Sequence, residues 1–136
     1  MTSELRVDNL KGSTTGGSIN VLGEGTSATT NLQQGLAKSW INFNGQSTIA
    51  TRDSFNVSNN TDNGTGNYTV TFSNNMANAN YMINTTGEQL SGYDSIVANK
   101  DYGTAYTTSE SKIAVTQGSS RADPVYANFS THGDLA

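Results

Sequence analysis

The chain has no cysteine, one proline, one tryptophan and one histidine in 136 residues, and few charges. Without cysteine there are no disulfides and no thiolate metal sites, and either redox compartment is open to it. Only 13% of residues are charged, against roughly 25% in ordinary globular domains. The seven basic residues are scattered and the net charge is -4. A phosphate backbone needs clustered Lys and Arg, so nucleic acid is not an expected partner. No apolar run approaches the ~20 residues of a membrane span. The opening MTSELRVDNLKG has no apolar stretch of the kind a secretory signal needs, so synthesis in a cytoplasm is expected.

What is present in excess is Asn, Thr, Ser and Gly. These residues favour turns, caps and solvated strands over helix interiors. With 33% hydrophobic residues, the core is thin for a chain of this length. Such a chain gains from burial supplied by neighbouring subunits.

Apolar residues alternate with polar ones in short runs. Residues 38–72 hold Trp40, three of the four Phe and the clearest strand signals, and the rest of the chain reads as extensions of this stretch. Ile41 and Phe43 alternate with Asn42 and Asn44, and Asn44-Gly45 reads as a turn. Another strand follows from Thr48, with Phe55 and Val57 extending it. Residues 59–66 read as a polar loop, and Tyr68, Val70 and Phe72 return as a strand, completing a hairpin from Phe55 to Phe72. Further short strands are expected around Tyr81 and Ile83, Ile96 and Val97, Tyr106, Ile113 and Val115, and Val125, Ala127 and Phe129, with a frayed tail after Thr131. The expected fold is all-β: an antiparallel β-sandwich, jelly-roll-like, with short strands and one short helix ahead of it.

Residues 1–37 form the expected attachment and trimerisation segment, and 38–136 the sandwich domain. Leu5 and Val7, then Ile19 and Val21, make two short strands with too few apolar positions to stand alone. They must dock either on the domain behind them or on another chain, and they are candidate attachment strands. One or two helical turns are expected within 26–38. Leu32 and Leu36 are spaced i, i+4, Trp40 continues the row, and Thr29, Thr30 or Asn31 is the cap; the segment either packs on its own domain or joins two copies of itself in a trimeric collar.

No catalytic constellation is visible. His132 stands near the end of the chain and no G-x-S-x-G elbow presents a nucleophile. The acidic residues are spread, with no favoured pair. The run from Asn59 to Gly64 is oxygen-rich, but it lacks the EF-hand Glu, and turn chemistry explains the same residues. No enzyme activity, cofactor or metal is expected. Arg52-Asp53 is either a partly buried pair that fixes register or two solvated side chains. Tyr93, Tyr102 and Tyr106, among Asp, Asn and Ser, are either a sugar- or receptor-binding surface or ordinary sheet residues.

Taken together, SELRVDNLKG, GGSINVLGEGTSATTNLQQGLAKSWINFNG and IATRDSFNVSNNTDNGTGNYTVTFSNNMANANYMI resemble short tail-fibre-like virion structural proteins of phages that infect cyanobacteria and other aquatic bacteria. The resemblance spans residues 3–83 and lies in the order and spacing of the motifs. It implies a homotrimer located in the virion, with trimer contacts around Leu32, Leu36 and Trp40, attachment through the first strands, and an outward-facing β-domain. It brings no catalytic residues. Its expected partners are further copies of itself, other virion proteins of tail or capsid, and a host-surface glycan, with no nucleic acid or membrane. A capsid decoration (cement) protein that stabilises the head is the close alternative. A carbohydrate-binding module is a third reading from a different class.

Overall fold

The computed structural model describes residues 4–17, 19–23, 28–88, 96–100 and 106–136. The chain forms two compact units, Met1–Leu36 and Ala37–Ala136.

In the first unit, β1 (Asn20–Leu22) pairs antiparallel with β2 (Thr29–Asn31), and one helical turn, α1 (Leu32–Gly35), follows. Asn31 caps that turn: its side-chain oxygen accepts the backbone N–H groups of Gln33 and Gln34, two donors that the helix start leaves unpaired. The helix ends at Gly35, so Leu36 lies beyond it and Trp40 lies in a strand. The expected row of Leu32, Leu36 and Trp40 is therefore not a helical stripe. Leu5 and Val7 are exposed and form no strand, in contrast to the expectation. Val21 lies within β1 and Ile19 immediately before it. None of the described residues of this unit is buried.

The second unit is built on two antiparallel sheets. The first has the order β4 (Ala50–Phe55), β3 (Ser39–Asn44), β11 (Tyr126–His132), β7 (Met82–Glu88). The second runs β10 (Ser120–Arg121), β9 (Glu110–Gln117), β6 (Asn67–Phe72), β5 (Val57–Asp62), with β8 (Ile96–Lys100) also paired to β9. Alternation sets their buried faces. Ile41, Phe43, Ala127 and Phe129 come from the first sheet, and Tyr68, Val70, Phe72, Ile113 and Val115 from the second, into one core. The Phe43 and Tyr68 rings meet edge to face at 4.9 Å.

Asn56 explains why β4 and β5 are separate strands. It holds a left-handed φ of 54°, a conformation that Asn tolerates better than most residues. Its amide nitrogen donates to the carbonyls of Lys38 and Asn74, and its oxygen accepts the Asn74 N–H at 2.7 Å. The chain thus leaves one sheet at Phe55 and enters the other at Val57. The Phe55-to-Phe72 hairpin of the sequence reading is shorter, β5 to β6. Residues 59–62, expected as loop, are paired strand, and the turn is confined to 63–66. Asp62 accepts the Gly64 N–H there, which is turn chemistry.

A second corner ties the sheets together beside Tyr68. Its hydroxyl donates to Asp123 Oδ1 at 2.6 Å, and the same oxygen accepts the Gly66 N–H at 2.7 Å. A Cβ on Gly66 would meet the Val115 carbonyl and the Ala122 backbone nitrogen, and φ there is +62°, so this position needs glycine twice over. At the Asn44-Gly45 turn the left-handed residue is Ser47, with φ 59°, and not Gly45. Gly45 is constrained by space, because a Cβ would run into the Tyr68 hydroxyl and Pro124.

The tail differs from expectation. Thr131 and His132 belong to β11, Leu135 bridges to Met76, and the Ala136 N–H donates to the Asn75 carbonyl at 3.0 Å. Backbone pairing holds this end in place. Tyr106 lies outside any strand.

Candidate functional site

The parity that sends Ile41 and Phe43 inward sends Trp40, Asn42 and Asn44 outward. Register stacks these outward residues into rows that cross four strands. One row reads Phe55, Trp40, Ser130, Asn84, and the next reads Asp53, Asn42, Asn128, Thr86. A groove of about 470 Å³ is lined by the residues of these two rows other than Phe55.

The polar row is linked across three strands. Asn42 Nδ2 donates to Asn128 Oδ1 at 2.5 Å, and Asn128 Nδ2 donates to Thr86 Oγ1 at 3.1 Å. Each amide uses one of its two N–H donors this way. Asp53 closes the row, and its carboxylate accepts the Ser54 N–H. Trp40 is 37% exposed beside it, next to Phe55 at 52%.

Arg52 is the extra residue of a β-bulge opposite Asn42 and Phe43. It forms no pair with Asp53. Its guanidinium lies 3.9 Å from the centre of the Tyr126 ring and donates to the Val125 carbonyl. The cation is thereby held on the Tyr126 side, and Asp53 is the charged side chain that lines the groove.

Tyr106 is half-buried, its ring 5.0 Å from that of Tyr81, and it packs against the core. Tyr93 and Tyr102 lie outside the described residues. Tyr81 donates to the Thr107 and Glu110 carbonyls, and burial raises its pKa. Tyr68 is raised further, by burial first and then by the Asp123 carboxylate. Leu32 is half-buried at the start of α1, and Leu36 is 53% exposed. These two belong to the first unit and Trp40 to the second. His132 stands in β11 opposite Met82 and has no acid–base partner among the described residues.

The groove residues Asn42, Asp53, Asn84, Thr86 and Asn128 were not singled out by sequence reasoning. Parity alone would have placed Trp40 with Asn42 rather than in a row with Leu32 and Leu36. Which strands lie side by side, and so which Asn meets which, is not encoded in alternation. Comparison with family models, with curated proteins and with solved structures gives no match for this chain.

Proposed function

We propose that this chain is a structural protein of a phage particle, a homotrimeric β-sandwich module of tail-fibre or tail-adaptor type that works by binding and not by catalysis. The observation that carries this reading is the first unit. It exposes Leu5, Val7, Leu10, Val21, Leu22 and Leu36, each at least half exposed, and buries no described side chain. Fully burying one such side chain is worth roughly 1.5–3 kcal/mol. A segment that leaves so many outside has its stabilising partner in another chain. Leu32 and Leu36 are the proposed trimer contacts, and Val21 and Leu22 the proposed attachment edge. The assignment to a phage particle comes from the sequence resemblance, and the acidic, Asn- and Thr-rich β architecture is compatible with it.

Electron microscopy of intact particles with gold-labelled antibody tests the assignment. Label on the tail is expected. Label over the head would give the decoration role instead. Unlabelled particles would remove the virion reading.

A further inference from the structure

We infer that the outer face of the four-stranded sheet binds a neutral saccharide, seated on Trp40 and hydrogen-bonded to the row Asp53, Asn42, Asn128 and Thr86. This inference concerns the second unit only and does not depend on where the protein sits in a particle.

A sugar ring has a C–H face that needs an apolar platform and a rim of hydroxyls that both donate and accept. Trp40 forms the platform at one side, and its neighbour on the adjacent strand, Phe55, lies outside the groove lining. The polar row beside them supplies amide N–H groups, amide oxygens, a threonine hydroxyl and one carboxylate. Asn84 adds a further amide on β7, and its side chain makes no hydrogen bond among the described residues. The volume of about 470 Å³ is in the range of small-molecule sites, roughly 300–1,000 Å³. Rigid strands carry every one of these groups, and the linked amides are already oriented before any ligand arrives.

Charge selects the class of sugar. The groove's charged side chain is the Asp53 carboxylate, and Arg52 is engaged with Tyr126. The chain carries -4 overall. Phosphorylated, sulfated or uronic sugars meet repulsion here, whereas a neutral hydroxyl is a good donor to Asp53.

Trp40 is the chain's sole tryptophan, so its fluorescence reports on this groove directly. The full-length protein is titrated with cellobiose, maltose, lactose and chitobiose, and with glucuronic acid as an anionic control. The expected result is a saturable change with at least one neutral disaccharide, with a Kd on the order of 1 mM, and none with the acid. Asn84→Ala leaves the amide row intact and should weaken binding about threefold to tenfold without changing the melting temperature. Asn128→Ala, followed by calorimetry, should weaken it at least as much. No response to any of these neutral sugars, an undiminished response in Asn84→Ala, or a Trp40 signal that follows protein dilution instead of sugar would each overturn the assignment. The last of these would make the face a contact between copies.

Discussion

Replacing Tyr68 with Phe tests the corner that joins the two sheets. Tyr68 is fully buried, and its hydroxyl lies 2.6 Å from a carboxylate oxygen that also holds the Gly66 N–H. A hydrogen bond to a charged acceptor is worth about 1.5–3 kcal/mol, so the variant should lose about that much at pH 8, where Asp123 keeps only its backbone donor. The alkaline behaviour is more specific. Burial, and then Asp123, hold the Tyr68 pKa far above the usual value of 10.0. The unfolded chain therefore releases this proton near pH 10 while the folded chain keeps it. Above that point the unfolded state binds fewer protons, and stability falls with rising pH. The loss is about 1.4 kcal/mol per pH unit, and so about 1.4 kcal/mol between pH 8 and pH 11. Tyr68→Phe has no such proton to release. Urea denaturation of both proteins at pH 8 and pH 11 should show the difference between them shrinking by about 1.4 kcal/mol at the higher pH. Groups common to both proteins cancel in this comparison. A difference that stays constant, or a variant as stable as the parent at pH 8, would refute the buried Tyr68–Asp123 contact.

Gly66→Ala places a Cβ against the backbone of Val115 and Ala122 at a left-handed φ, and should cost more than about 3 kcal/mol in denaturant titration. Phe129→Ala removes a core ring that is 2% exposed and should cost about 3–5 kcal/mol, whereas Trp40→Ala, at 37% exposure, should cost no more than about 2. Equal losses for the two would place Trp40 in the core. Leu36→Asp should leave the melting of the second unit unchanged while weakening self-association, as read by sedimentation.

Much of the fold was legible because period-two alternation is a strong local signal. Ile41/Phe43, Tyr68/Val70/Phe72, Ile113/Val115 and Ala127/Phe129 all face the core as that alternation requires. Three features were lost to effects that a local pattern does not carry. Asn56 breaks what reads as one long strand, because a left-handed corner held by Lys38 and Asn74 depends on residues 18 positions away on either side. Residues 59–62 look like loop because nothing in them is apolar, yet β6 supplies their pairing. The tail looks frayed by composition and is held by the backbone around residues 75–77. The groove was hidden for a related reason. Its polar row exists only after four strands have found their order, and the tryptophan that marks it was read from the helical spacing of Leu32 and Leu36 instead of from strand parity.

The proposed homotrimer requires other copies of the chain to cover the apolar side chains that the first unit exposes. Analytical ultracentrifugation of the full-length protein over a wide concentration range measures this directly. A species near three times 14.3 kDa, lost in Leu36→Asp, is the predicted result. A particle of 14.3 kDa at every concentration would contradict it.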